Sequence, residues 1–409
     1  MPHPTTNARR RRALWFAGYA LLALAGCHAR PSSSFSPVPG PAQLPVASRP
    51  NFEPDLSGVT AEAVPLVRPD KGRRLTAPDT RRLARANAPF AADLDRHEDN
   101  QGPNHEKLNR KAARFAAASR LVRGHAADEL RNRAAGEALD EFFKLAGAEG
   151  QFDLLAAAAA ELKAQLGEAE RAEQAGLKDR ADTPALRRQL LDIEAQQAQL
   201  EAGIGALNAS LRARLGLEAG DPLPLWPVDP LAVRPDDIDV PAAVATGLVY
   251  RPDLNALRVL ADGGAADLTD AVLTGLNPLL AKLKPDSPLA LLLLSCVREP
   301  ERQKEAATGR AASALAARTR QAEAEIRAAA VGLRGHRAAV AARALDVRAA
   351  EARVSELEQR KTAGLSVAAD LAAAKLAVLK AKGERLSAVI EWHTTEVKLR
   401  QAMGLLVRE

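Results

Sequence analysis

The residues that could carry out chemistry in this sequence are few and far apart. Residues 97–105 include two histidines, a glutamate and an aspartate, but their spacing fits no helical i,i+4 pair and Gly102-Pro103 interrupts them. We interpret this stretch as a solvated loop. Cys296 lies in an apolar run, which favours a buried thiol over a nucleophile. The sequence has no phosphate-binding loop, nucleophile elbow or C-x-x-C pair. We therefore expect no enzyme activity and no metal or cofactor site.

Covalent modification is a second kind of chemistry, and its candidate is Cys27. Four arginines at positions 9–12 precede a short apolar run at 13–25, so residues 1–26 have the form of a signal peptide. The run ends Leu-Ala-Gly-Cys, which resembles the bacterial lipobox. The resemblance implies cleavage before Cys27, a thioether-linked lipid on its sulfur and an acyl chain such as palmitate on the new amino terminus. An ordinary signal peptide with a chance cysteine is the alternative.

Composition favours extended helices. Of the 409 residues, 47% are hydrophobic but only 3% are aromatic, which suits long helices packed side by side better than an enzyme core. The net charge of +6 includes the four arginines of the signal peptide, so the remaining chain is nearly balanced and we expect no nucleic-acid partner.

Residues 27–105 contain no strong helical pattern. Residues 27–75 are rich in proline and serine, and we predict a disordered tether there. Residues 76–105 are charged and mixed, and we predict a polar linker. Helical character resumes at residue 106.

The stretch from 301 to 409 predicts a long helical hairpin. It is dominated by strong helix formers, and its one clear break is at Gly364, where a glycine can adopt the positive φ of a helix end. The arms would run roughly 90 Å and 60 Å. The second arm carries two apolar seams on nearly opposite faces, one through Leu371 and Trp392 and the other through Leu386 and Ile390. This pattern favours a coiled-coil-like neighbour on each side, although alanine makes it ambiguous.

A second copy of this hairpin is predicted at 106–217. The triplet Ala-Gly-Leu around Gly176 recurs around Gly364, and the shift that carries position 176 to position 364 defines a repeat offset. At that offset 11 of the 43 positions from 175 to 217 are identical to 363–405, including Gly216 and Gly404 near the end. The chain therefore contains an internal repeat whose predicted tips are Gly176 and Gly364.

Residues 218–300 connect the two predicted repeats. Six prolines between positions 222 and 241 surround Trp226, which predicts a linker with one packed apolar anchor. Arg251-Pro252-Asp253-Leu254 follows, and the aspartate after proline predicts the start of one of several short helices.

The motif Arg251, Pro252, Asp253, Leu254, inside a duplicated helical-hairpin chain, resembles the TolC-like outer-membrane efflux protein family. So do the hairpin glycine Gly364 and the closing Leu-Arg-x-x-x-Gly-Leu. The resemblance covers roughly 106–409. It implies a mainly α protomer with two long antiparallel hairpins, three copies of which form a periplasmic α-helical tube. The implied partners are the outer membrane, reached through a lipid anchor, a periplasmic adaptor and an inner-membrane pump.

One region departs from the family pattern. Membrane strands should lie near 275–310, but the run 289–297 does not alternate and favours a buried helix or core segment over a strand. We therefore predict a TolC-like fold with little or no β-barrel. The predicted function is the outer-membrane channel of a tripartite efflux or secretion system, with passive transport of small molecules. The alternative is a lipid-anchored, non-conducting helical scaffold or adaptor of the cell envelope.

Overall fold

Long helices are the main elements of the computed structural model, which describes residues 46–48, 71–99, 110–175, 183–234, 238–264, 300–365 and 367–408. The described helices are α1 (Ala77–Ala86), α2 (Ala91–Asp99), α3 (Arg110–Gln174), α4 (Thr183–Leu215), α5 (Val240–Tyr250), α6 (Pro252–Val259), α7 (Pro300–Thr362) and α8 (Ala368–Ala402). The described strands are β1 (Val46–Ser48), β2 (Lys71–Leu75) and β3 (Leu225–Pro227). The predicted mainly α architecture is therefore confirmed.

The four longest helices form two antiparallel pairs, α3 with α4 and α7 with α8. Helix α3 has 65 residues and α7 has 63. Each is therefore roughly 100 Å long, since an α-helix rises about 1.5 Å per residue. Ion pairs join the members of each pair. Lys163 of α3 lies 2.9 Å from Glu194 of α4, and Lys382 of α8 lies 3.1 Å from Glu351 of α7.

The described residues divide into two compact units. The smaller contains the described residues of 98–123 and 256–316. These are the last two residues of α2, the first turns of α3 and α7, the end of α6 and a π-helical turn at Leu260–Gly264. The larger contains the described residues of 41–97, 124–255 and 317–409. The largest of its apolar clusters includes Phe142, Leu211, Ile326 and Trp392.

Helices α3 and α8 cross closely because α3 has glycine at the contact. A Cβ on Gly147 would lie 2.7 Å from Cγ1 of Ile390, and one on Gly150 would lie 2.6 Å from Cδ2 of Leu386. The side chain of Gln151 donates to the carbonyl oxygen of Gly383 at 2.7 Å. Helix α8 thus has α3 on one flank and α7 on the other, as its two apolar seams predict.

The repeat is visible in the backbone at both carboxyl ends of the returning helices. Gly216 after α4 has a φ of +65° and Gly404 after α8 has a φ of +71°. The next residue donates in each case to the carbonyl five positions back, Leu217 to Arg212 and Leu405 to Arg400, both at 3.0 Å. This bond is the closing bond of a Schellman cap, which needs a left-handed residue that glycine supplies without strain.

The stretch predicted as a polar linker contains two helices, α1 and α2. Thr76 caps α1 by accepting a hydrogen bond from the Asp79 amide at 3.1 Å. Asp239 caps α5 in the same way, accepting from the Ala242 amide at 3.1 Å, and each cap has a proline two positions later. These matching caps show that each repeat places a short helix beside its long hairpin.

The end of the predicted tether belongs to a small sheet of order β1-β2-β3. Strand β2 runs antiparallel to β1 and parallel to β3, with Arg74 opposite Trp226. Gly72 leaves room for the Trp226 indole, which occupies the space that a Cβ would need. Arg73 pairs with Asp221 at 2.8 Å. Trp226 is buried, as predicted, and these contacts hold residues 71–75 where the sequence shows only a short charged stretch.

Candidate functional site

The turn between α7 and α8 is the described hairpin tip. Helix α7 ends at Thr362, and Gly364 has a φ of +83°. The amide of Leu365 donates to the carbonyl of Arg360 at 3.1 Å, the same closing bond as at the other two capped ends. A Cβ on Gly364 would meet no atom within 4 Å, and Leu365 is 57% exposed. The tip therefore presents an apolar residue on a tightly closed turn.

A four-charge cluster surrounds the predicted motif at the junction of α5 and α6. Arg251 donates to both carboxylate oxygens of Asp253, from Nε at 3.0 Å and from Nη2 at 2.9 Å. Its Nη1 donates to Glu325 at 2.7 Å and to the carbonyl oxygen of Ala402 at 3.1 Å. Arg318 donates to the same two carboxylates, each at 2.7 Å. Two cations and two anions thus neutralise one another around a buried Arg251.

Mutual stabilisation favours the charged forms of Arg251, Asp253 and Glu325. Burial alone would lower the pKa of Arg251, but the hydrogen bonds and negative charges of Asp253 and Glu325 outweigh it and raise that pKa. Burial alone would raise the pKa of each carboxyl, but the two arginines outweigh it and lower both pKa values. Both carboxylates accept hydrogen bonds from both arginines. The arrangement is therefore a structural lock.

The lock holds the end of α8. A Cβ on Gly404 would lie 2.8 Å from the carbonyl oxygen of Tyr250 and 2.9 Å from Cα of Arg251, so the glycine lets the two backbones meet. The first repeat has the same joint with different chemistry. There the side-chain amide of Asn87, at the end of α1, donates to the carbonyls of Ala213 and Arg214 at 3.1 Å and 3.0 Å. At the repeat offset Arg214 corresponds to Ala402. Asn87 and Arg251 therefore donate to equivalent carbonyls, each at the end of a returning helix.

The other residues of the predicted motif lie at the start of α6, directly after this joint. Pro252 begins α6, where the missing amide hydrogen is not needed, and Leu254 is fully buried. The amide of Leu254 donates to Asp253 Oδ1 at 2.8 Å. On α3, burial raises the pKa of Glu129, and the negative charge of Asp253 acts in the same direction. The junction therefore faces the other repeat of the same chain.

Other predicted positions are placed as follows. Cys27 and Gly176 lie outside the described residues, as does the segment 275–299, whereas residues 300–310 form the first turns of α7. Sequence reasoning missed Arg318, Glu325 and Asn87. The available signal was the spacing of Arg318 and Glu325, two helical turns apart, which puts both on one helical face.

The described residues contain neither a membrane-spanning helix nor a cluster of metal ligands. None of the described helices combines the length and apolar character needed to cross a bilayer. Over the same residues, no three His, Cys, Asp or Glu side chains come together as metal ligands.

Comparison with solved structures identifies the fold. The outer-membrane channel OprN matches with a TM-score of 0.53 at 18% identity, over 72% of this chain and 71% of that chain. The open state of the Neisseria gonorrhoeae outer membrane channel MtrE matches with a TM-score of 0.53 at 14% identity, over 88% of this chain and 98% of that one. VceC, an outer membrane protein of Vibrio cholerae, gives a TM-score of 0.53 at 16% identity over 74% and 77%.

The chain has the TolC-like outer-membrane channel fold. The predicted resemblance is confirmed at the level of fold, and its solved examples are channels rather than enzymes. No protein-family model matches the sequence, and no curated protein does. The likeness therefore lies in the arrangement of the helices, whereas few residues are identical.

Proposed function

We propose that this chain is the outer-membrane component of a tripartite efflux or secretion system. The observation that supports the proposal best is the pair of duplicated antiparallel hairpins, α3 with α4 and α7 with α8, in a TolC-like fold. Helices this long exceed what one compact core requires, so their free faces need further helices beside them. Three copies side by side would supply them and enclose a tube.

The proposed mechanism is passive. The tube provides a water-filled path for small molecules, and a partner pump in the inner membrane supplies the energy. The hairpin tips at Gly176 and Gly364 would face a periplasmic adaptor. The exposed Leu365 at the described tip gives such a partner an apolar contact.

We further propose that the protein is lipid-anchored in the outer membrane and faces the periplasm. The Leu-Ala-Gly-Cys sequence ending at Cys27 supports a thioether lipid and acylation at this position. Several acyl chains give stable attachment, whereas one chain gives only marginal binding. Mass spectrometry of the intact protein should show the added lipid mass, and a Cys27→Ser variant should lack it.

Conductance measurements test the channel. Purified full-length protein in planar lipid bilayers should give discrete, stepwise openings. Circular dichroism on the same sample establishes that the protein is folded and helical. Silence from a folded helical sample would overturn the channel proposal and favour the non-conducting envelope scaffold.

A further inference from the structure

A guanidinium is buried in the second hairpin. Arg385 of α8 is 4% exposed and belongs to a row of buried α8 residues that includes Ala374, Ala388 and Trp392. Two of its nitrogens, Nε and Nη1, are enclosed, and no described residue accepts a hydrogen bond from either. Nε carries one N–H donor and Nη1 carries two. Buried donors without an acceptor are costly, so this side chain has strong potential to bind an acceptor from outside the chain.

The charge of Arg385 is poorly balanced by the side chains around it. An arginine stays protonated in proteins, so burial does not remove its charge. Burial and the positive charge of Arg348 lower the pKa of Arg385, whereas the negative charge of Glu351 acts in the opposite direction. The carboxylate of Glu351 is already paired with Lys382, at 3.1 Å. One carboxylate thus faces two cations of α8, and positive charge is in excess.

The two hairpins share the ion pair beside Arg385, but with the signs exchanged. In the first hairpin Lys163 of α3 pairs with Glu194 of α4. At the repeat offset these residues correspond to Glu351 of α7 and Lys382 of α8, which form the pair in the second hairpin. The two helix pairs are therefore joined in the same register at this level.

The first hairpin shows that the fold does not require a charge one turn further along. At the repeat offset Arg385 corresponds to Gln197, and Arg348 corresponds to Ala160. The first hairpin thus has a neutral amide and a methyl group where the second has two guanidinium groups. The excess positive charge is therefore a property of the second hairpin and not of helix pairing in general.

We propose that Arg385 binds chloride between α7 and α8, with Nε and Nη1 donating to the ion. A monovalent anion would accept the three unused N–H donors and balance the buried charge. The positive charge of Arg348 adds to the attraction. Paired helices lie about 8–10 Å apart, which leaves room beside a guanidinium for a monatomic ion and excludes a large hydrated polyanion.

This inference goes beyond the proposed channel and does not depend on it. Chloride would hold the second hairpin together at a level where the first hairpin uses neutral packing. The stability of the protein would then depend on which anion is present, and not only on the ionic strength.

Urea unfolding in chloride tests the site. Full-length protein in detergent is unfolded at constant ionic strength while chloride replaces gluconate, an anion too large for the contact between two helices. A ligand that binds only the folded protein should raise the folded-to-unfolded ratio about 11-fold at ten times its dissociation constant. Circular dichroism measures this ratio, and bromide should act as chloride does.

Arg385→Gln is the matched variant, because it introduces the residue type that the first hairpin has at the equivalent position. Its stability should not respond to chloride. The control is Arg353→Gln, which removes one positive charge from an exposed ion pair with Glu356 on α7. This variant should respond to chloride as the wild type does, which separates binding at Arg385 from general charge screening.

Anomalous scattering from wild-type crystals grown in bromide locates the ion without any substitution. A bromide peak is expected beside Nε and Nη1 of Arg385. The absence of a peak there would overturn the proposal, even if Arg385→Gln did not fold. A wild type that does not respond to chloride, or an Arg385→Gln variant that responds as strongly as the wild type, would also overturn it. Conductance measurements decide the channel independently of these results.

Discussion

At the scale of single residues, the ends of the returning helices α4 and α8 are held by side chains from the preceding short helices. The neutral side-chain amide of Asn87 donates hydrogen bonds to two carbonyls in the last turn of α4. The guanidinium of Arg251 donates a hydrogen bond to a carbonyl at the end of α8 and also binds Asp253 and Glu325. The charged joint is more sensitive to substitution than the neutral one, because removing one partner leaves unpaired charges in a buried setting.

Replacing Arg251 with methionine should therefore destabilise the protein substantially. The side chain is 6% exposed, so its loss leaves Asp253 and Glu325 with Arg318 alone and costs about 3 kcal/mol. Urea unfolding followed by circular dichroism measures this loss. The control is Arg353→Met, which removes an exposed ion pair with Glu356 and should leave the unfolding curve unchanged. Equal effects of the two changes would contradict a special role for Arg251.

His393 makes stability depend on pH. Its ring stacks on Phe143 at 4.5 Å and meets Trp392 edge-on at 4.9 Å, and burial lowers its pKa to about 4. The positive charge of Arg234 acts in the same direction, and Glu396 lies 3.9 Å from Nδ1. Because an unfolded histidine has a pKa of about 6.5, the unfolded chain takes up the proton first as the pH falls.

The folded protein should therefore lose stability between pH 6.5 and pH 4, by up to roughly 3 kcal/mol from this residue. A His393→Phe variant keeps the aromatic contact with Phe143 and cannot titrate. Thermal unfolding of both proteins across this range should show the wild type falling relative to the variant. Parallel pH profiles would show that His393 is not the cause.

Part of this residue-level picture could be predicted from the sequence. The sequence pattern predicted the junction at Arg251 to Leu254 because proline and aspartate mark helix starts locally. It could not provide Arg318 and Glu325, because they approach Arg251 only after α7 folds back beside it. Gly216 and Gly404 are one repeat offset apart, and this recurrence of glycine was the sequence signal for their shared left-handed conformation.

At the scale of elements, the close crossing of α3 and α8 depends on glycines that weaken α3 in isolation. Replacing Gly147 with valine should separate the helices at Ile390 and cost about 2–3 kcal/mol. The control is Gly203→Val in α4, where a Cβ would meet no atom within 4 Å and stability should change little. Denaturant unfolding of the two variants measures the difference. If Gly147→Val leaves the free energy of unfolding unchanged, then α8 can shift without a loss of stability.

The long helices were predictable and the short elements were not. Helix formers run without a break through the 63 residues of α7, and the hairpin at Gly364 needed only one strong break in that pattern. Helices α1 and α2 were missed because their apolar residues are few, although the cap and proline shared by Thr76 and Asp239 were available as a signal. Strand β2 is short, has no alternating pattern and depends on the distant Trp226.

At the scale of the whole molecule, the proposed tube makes assembly sensitive to charge on the exposed face of α7. Val331 is 61% exposed in the single chain, so Val331→Glu should leave the unfolding of the chain unaffected. It should nevertheless disperse oligomers into monomers and abolish conductance, because it buries a carboxylate between copies. Analytical ultracentrifugation in detergent measures this. The control Ala373→Glu, on an exposed position of α8, should leave the assembly intact.

The two joints differ in a way that gives this molecule an inherent order of failure in acid. Asp253 and Glu325 keep their charges below the usual carboxyl range, because the arginines lower both pKa values. Once strong acid protonates them, Arg251 is left without a counter-charge, whereas the amide at Asn87 does not titrate. Acidification should thus weaken the joint at Arg251 while the hydrogen bonds from Asn87 to the end of α4 persist.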